Sequence, residues 1–304
     1  MFVRGLPSVV AAAALAAVLA GCGAGGDGSS GSGGTAPTTS AAPLPAVAAD
    51  PALAAQVPAS VKADGKLVFG TDASYPPNEF TASDGTTIVG MDVDLGTAIA
   101  QKLGLTGEFV NSSFDGILPG IGAGTYEAGM SSFSINDERV KVVDMVSYYS
   151  AGTSVGVRSG NPDGVVADDL CGKAIGVQRG TVQVDDLAAR NQKCLAEGKP
   201  AITVSEFQLQ TDVNLALASG RVVAMLADSP VVGYAAQQTN GQLEALGEPY
   251  DAGPYGIALG KNQGDFPKAV QGAVQALIAD GTYQAILDKW GVANGAITTS
   301  EIRS

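Results

Sequence analysis

From Lys66 onward, short apolar runs alternate with segments in which apolar residues recur every three or four positions. KLVFGTD predicts a strand running into a loop. In GMDVDLGTAIAQKLGL, Leu95, Ala98, Ile99 and Leu103 fall on one helical face, and Gly104 is placed to end it. FDGILPGIGAG predicts a second helix, YEAGMSS and KAIGVQRG strands, TVQVDDLAARNQKCLAEG a helix, and RVVAMLAD a buried strand. FPKAVQGAVQALIADG and TYQAILDKWG predict two amphipathic helices split by Asp280 and Gly281. Strands separated by helix-length segments point to parallel sheets of the α/β class, and no short-period repeat interrupts the pattern.

The amino terminus has another pattern. A short segment carrying Arg4 precedes VVAAAALAAVLA, and LAGC follows, ending at Cys22. A charged start and an apolar run too short to span a bilayer comfortably predict a signal peptide over residues 1–21. LAGC resembles a lipobox, which implies acylation of Cys22 and anchoring to the outer face of the cell membrane. Residues 22–60 are dominated by Gly, Ser, Thr, Pro and Ala, a composition with too little apolar bulk to offset chain entropy, and are expected to form a flexible linker.

Composition then removes whole classes of chemistry. The chain has 304 residues, 45% hydrophobic and 15% charged, with 17 Lys+Arg against 30 Asp+Glu, a formal charge of -13 and a pI near 4.3. So acidic a chain, without a basic run, repels phosphate backbones, and nucleic acid is not an expected partner. It contains no histidine, which removes Ser/His and Cys/His nucleophile systems and the commonest metal ligand. Three cysteines without a CxxC pair offer too few ligands for a structural zinc site. Asp92 and Asp94 lack the further ligands of a calcium loop, and Asp94 is read as a helix N-cap. In an exported chain, Cys171 and Cys194 read as a disulfide.

Ligand crevices in such sheets open beyond the carboxyl ends of strands. The polar clusters GTDASY, SSFSINDER, QRGTVQ and ADSP stand at those places. SSFSINDER has three readings: a turn through Asn136 and Asp137, a helix cap through Ser134 and Asp137, or a floor of hydrogen-bonding groups ending in Arg139. The guanidinium of Arg139 can fork onto a carboxylate. In QRGTVQ, Gly180 can make an ordinary turn, or turn the chain so that amides at the next helix start face an anion. Asp228 can accept from an ammonium, cap the following helix, or do both.

GTDASYPPNEF, GMDVDLGTAIAQKLG, FDGILPG, SSFSINDER, GVQRGTVQ, GRVVAMLADSP and DGTYQAILDKWG occur in one order over residues 66–291. Together they resemble the solute-binding proteins of polar amino acid ABC transporters, family 3 of the bacterial extracellular solute-binding proteins. The resemblance implies a type II periplasmic-binding-protein fold of two lobes. Each lobe would hold a mixed, mainly parallel sheet flanked by helices, with crossings near residues 151–155 and 250–254. Lobe 1 would comprise residues 61–153 and 251–304, and lobe 2 residues 154–250. The implied protein is a cofactor-free monomer that delivers a polar amino acid to permease subunits and their ATPase, meeting the membrane only through its anchor.

The resemblance also implies site roles. Arg139 would clamp the ligand carboxylate with backbone amides near Ser134 and at Thr181 and Val182. Asp228, the Ser132 carbonyl and the Ser134 hydroxyl would hold the ammonium. Asp72, Tyr75, Phe114, Ser131, Phe133, Gln178 and Gln183 would line the side-chain pocket. Asn78, Val182 and Val223 depart from the family's usual residues, which leaves side-chain specificity open: Asp72 suits a cationic side chain, and Gln178, Gln183 and Asn78 suit an amide. Two rivals share the scaffold, which the resemblance extends to dehydratases and peptidoglycan lyases: an enzyme that recruits Asp72 or Glu79 as an acid, and a ligand-sensing module.

Overall fold

The structure is a computed structural model that describes residues 45–304. The expected signal peptide and Cys22 lie outside the described residues. Among the described residues no helix is long and apolar enough to cross a membrane.

Two long antiparallel strands, Val143–Arg158 and Leu243–Gly260, organise the molecule. At one end Leu243–Gly260 pairs with Ala128–Gly129, which continues in parallel through Lys66–Thr71 to Thr106–Asn111. At the other end Val143–Arg158 pairs with Ala224–Asp228, followed in parallel by Ala174–Gln178 and Thr203–Phe207. Each half is therefore mainly parallel, with the antiparallel pair entering both. The register of that pair shifts around Tyr250 and Gly253, opposite Thr153 and Ala151. Breaks at these positions interrupt the ladder where the chain passes from one half to the other.

Each half has its own core. Leu67, Phe69, Leu95, Ile99, Val270 and Ile286 belong to the first. Val213, Leu217 and Val222, with Ile175, Val177 and Leu187 in a neighbouring cluster, fill the second. Fully burying an aliphatic side chain of this kind is worth about 1.5–3 kcal/mol, so each sheet has enough packed apolar surface to hold its strand ends in place.

Several local expectations need correction. Residues 45–60, expected as part of a flexible linker, are not structureless: Pro51–Gln56 and Ala59–Lys62 are helical. Asp50 Oδ1 caps the first helix by accepting from the Ala52 and Leu53 amides, and Leu53, Val57 and Val61 pack on the core. Those three residues recur every fourth position, a helical stripe hidden within alanine-rich sequence. Asp94 is not the N-cap of helix Met91–Lys102. Gly90 is, at φ 141°, and a Cβ there would lie 2.1 Å from the Asn78 carbonyl oxygen. That carbonyl and the one at Pro77 take the first helix amides, freeing Asp94 to accept from Lys289 Nζ and Trp290 Nε1. The cap of the short helix Asp137–Val140 is Asn136, whose side chain accepts from the Arg139 amide, and not Ser134.

Cys171 and Cys194 form a disulfide with a sequence separation of 23, tying the approach to strand Ala174–Gln178 to helix Val182–Ala196. Loop-closure entropy assigns such a link about 3 kcal/mol. Replacing both cysteines by serine should lower unfolding stability by about that amount in urea titrations; an unchanged midpoint and slope would contradict it. Asp169 lies beside the two sulfurs, but the S–S bond leaves no thiolate for a metal.

Candidate functional site: a polar pocket between the two sheets

Strand Lys66–Thr71 delivers Asp72 to the mouth of the first half, where its side chain is 1% exposed. Asp72 Oδ2 accepts from the Phe114 amide at 2.9 Å and from Gln178 Nε2 at 3.1 Å. Its Oδ1 has no partner. Burial raises the Asp72 pKa above the usual aspartate value, and an oxygen left bare in such a place favours an incoming donor.

The segment after strand Ala128–Gly129 forms the floor. Ser132 takes φ 54°, uncommon for a residue with a β-carbon, and is held there by its amide donating to Asp92 Oδ2 at 2.9 Å. Tyr148 donates to that same carboxylate oxygen. The Ser131 and Ser132 hydroxyls donate to Glu79 Oε1 and Oε2 at 2.9 and 3.2 Å. Ser131 Oγ also accepts from the Asp72 amide. SSFS is thus neither a solvated loop nor a cap; buried acids below fix its conformation.

Arg139 is 9% exposed. Nη1 donates to the Ser134 carbonyl at 2.7 Å and Nη2 to the Gly180 carbonyl of the other half at 3.2 Å. The guanidinium lies over the rings of Phe114 and Phe133, which stack on each other. Burial pushes the Arg139 pKa down to about 10, and Asp228 opposes that shift. Arg139 remains fully charged near neutral pH.

The second half supplies the facing wall. Gly180, at φ 78°, turns the chain from strand Ala174–Gln178 into helix Val182–Ala196, so Thr181 and Val182 bring the helix start to the pocket. Asp228 ends strand Ala224–Asp228 and is 6% exposed. Its Oδ1 accepts from Gln183 Nε2 and its Oδ2 from the Tyr255 hydroxyl, both at 2.7 Å. Burial raises the Asp228 pKa. Asp228 is also the N-cap residue of helix Ser229–Gln238, but its carboxylate makes no capping bond and is directed instead to these partners.

The walls of the two halves meet around one pocket. Its lining brings together Asp72, Tyr75, Phe114, Ser131, Ser132, Ser134, Arg139, Gln178, Thr181, Val182, Gln183 and Asp228, with Glu79. Phe133 is not on the lining; it stands behind Phe114, 1% exposed. Glu79 was legible only as an acid that an enzyme would recruit, and its signal was weak: one glutamate after a Pro-Pro pair. Arg139 and Asp228 share the pocket without an ion pair to each other, each neutralised only by neutral dipoles. That arrangement matches a small zwitterion, carboxylate toward Arg139 and ammonium toward Asp228.

Bonds across the pocket join the halves. Besides Arg139 to Gly180 and Gln178 to Asp72, the Asp228 amide donates to the Tyr75 hydroxyl, the Gln210 amide to Ser74 Oγ, and Gln208 Nε2 to Asp115 Oδ1.

Comparison with known proteins agrees with this geometry. Residues 67–293 match the family described as bacterial extracellular solute-binding proteins, family 3. The chain is 36% identical over 248 residues to an arginine-binding protein, ArgT, of Corynebacterium glutamicum, covering 81% of each chain. It superposes on an ancestral arginine-binding protein bound to arginine with a TM-score of 0.69 at 34% identity, over 74% of this chain and 98% of that one. An ancestral arginine-binding protein bound to glutamine gives 0.68 at 34% identity, over 75% and 98%. The fold, the pocket between two sheets and these matches lead to one assignment: the chain belongs to the bacterial extracellular solute-binding proteins of family 3.

Proposed function

We propose that this protein captures a cationic amino acid, arginine foremost, between its two lobes and delivers it unchanged to the permease of an ABC importer. The opposed, unpaired charges of Arg139 and Asp228 in one buried pocket carry this reading. In it, Arg139 and the amides at Thr181 and Val182 take the α-carboxylate. Asp228 and the Ser132–Ser134 floor take the α-ammonium. Asp72, with its bare oxygen, takes the side-chain guanidinium, and Tyr75, Phe114, Gln178 and Gln183 shape the space around it. Arginine-binding relatives support the choice of side chain.

Lobe 1 is residues 61–153 and 251–304, with helices Pro51–Gln56 and Ala59–Lys62 packed on its core, and lobe 2 is residues 154–250. A ligand touching both lobes binds the closed arrangement better than the open one and shifts the population toward it. The permease and its ATPase respond to that closed form. The protein acts as a monomer, anchored outside the cell through acylated Cys22.

A thermal-shift series over the amino acids tests the ligand class, since a ligand that binds only the folded state stabilises it by RT ln(1 + [L]/Kd). Arginine should give the largest shift. Asp72→Asn should weaken arginine by about 10- to 100-fold, the value of a hydrogen bond to a charged group, while leaving glutamine nearly unchanged. No shift with arginine, or equal losses for both ligands, would overturn the assignment.

A further inference from the structure

Beneath the pocket floor lie two buried carboxyl groups that the ligand contacts above do not use. Glu79 and Asp92 are both 0% exposed, and the Ser132 hydroxyl joins them, 3.2 Å from Glu79 Oε2 and 3.4 Å from Asp92 Oδ2. Strand Glu79–Thr81 carries the first, helix Met91–Lys102 the second. Two carboxyl groups so placed need a proton between them, because two adjacent anions in a dry interior repel strongly. Asp92 Oδ2 already accepts from the Ser132 amide and Tyr148, whereas Asp92 Oδ1 has no donor among the other side chains. Glu79 accepts from Ser131 and Ser132, and a proton on it has Asp92 as its neighbouring acceptor.

The two carboxylates facing Glu79 make its charge harder to bear, and the two phenols facing it are neutral. Asp92 faces it from the helix, Asp72 from the end of the first strand, Tyr75 from the adjoining hairpin and Tyr148 from the long strand. Among the described residues no cation forms an ion pair with any of these acids, and the nearest cationic group of the pocket, Arg139, is occupied by two carbonyls. Yet Glu79 reaches the pocket wall beside Asp72, whose Oδ1 is buried and bare. A positive side chain entering there would meet both acids in a low-dielectric space.

We propose that Glu79 is a specificity-determining acid that exchanges its proton for the positive charge of the ligand side chain. Without a cation the Glu79 carboxyl keeps its proton, and the pair with Asp92 carries one negative charge instead of two. When a guanidinium or ammonium settles against Asp72, Glu79 loses that proton to the buffer, and the ligand's charge takes its place. A neutral side chain leaves the proton where it was, so the pocket separates cationic from neutral amino acids by the ionisation of its floor as well as by contact. Burial and the Asp92 charge raise the Glu79 pKa well above the usual glutamate value, and burial raises Asp92 as well, which favours a proton on the pair.

This inference rests on the cationic ligand proposed above, and the test separates the two. Arginine is titrated into the full protein by calorimetry at pH 7 in buffers of differing ionisation enthalpy, and its affinity is followed from pH 6 to 8. Release of close to one proton per arginine is expected, and affinity then rises with pH, by up to about tenfold per unit for one proton. Glu79→Gln, which keeps the shape but carries no exchangeable acid proton, should abolish the release and flatten the pH profile. Tight arginine binding with no proton released, or release unchanged in Glu79→Gln, would overturn the proposal while leaving the ligand assignment standing. Failure of arginine to bind at all would instead remove the ligand assignment, and the proton exchange with it.

Discussion

Arg139→Ala should weaken amino acid binding by about 30-fold to a few thousand-fold, the equivalent of about 2–5 kcal/mol for removing one partner of a buried charge pair. The size follows from its position. The guanidinium is almost wholly buried, lies over two phenyl rings and donates to a carbonyl of each half. Alanine would leave the ligand carboxylate in a closed pocket with helix-start amides alone. Arg139→Lys should recover only part of the loss, because an ammonium supplies charge without two parallel donors. Calorimetry on both variants measures this directly, and an affinity within threefold of wild type for Arg139→Ala would take the residue out of the clamp.

Asp228→Asn should cost binding on a similar scale, about 2–5 kcal/mol, and with a second signature that distinguishes lost function from lost folding. Burial raises the Asp228 pKa in the folded protein above its unfolded value. A carboxylate shifted in that direction weighs against folding once the pH exceeds the unfolded pKa, and this penalty disappears when acid protonates the group. The neutral amide removes the penalty at pH 7, although Gln183 Nε2 then faces an amide in place of an acceptor oxygen. The unliganded variant should therefore melt at the wild-type temperature or above it while its affinity collapses. A variant that melts far below wild type and binds normally when folded would make Asp228 a structural residue.

Both expectations trace back to how the sequence encodes the two sheets. Alternation of apolar runs and helical faces placed several strands and helices, but not the two long antiparallel strands Val143–Arg158 and Leu243–Gly260 that organise the molecule. Four polar clusters after strand ends could be brought into one crevice by the general behaviour of parallel sheets, and the family's motif order supplied roles for them. What the sequence hid was local. The stripe Leu53, Val57, Val61 disappeared among alanines, and the cap at Gly90 depends on a close approach of the Asn78 carbonyl, which is set by tertiary packing.

The acids under the floor were hidden for a related reason. Glu79, Asp92 and Tyr148 come from three separate elements and carry no spacing signature, yet they hold Ser132 in its left-handed conformation. The family resemblance implies Phe133, between two floor serines of SSFSINDER, as a pocket residue. In the fold its ring turns away and supports Phe114 and Arg139 from behind. Residue order within a motif gives proximity to the site, but the strand pleat and the turn at Ser132 decide which side chains reach it.

The central claim is that a single zwitterion spans the pocket from Arg139 to Asp228. Calorimetric titration of the wild-type protein with arginine and with agmatine, which keeps the guanidinium and lacks the α-carboxylate, tests it most directly. The account predicts that agmatine binds at least about 30-fold more weakly, the lower bound for losing the partner of a buried charge. Equal affinity for the two would mean that nothing in the pocket reads the carboxylate, and would contradict it.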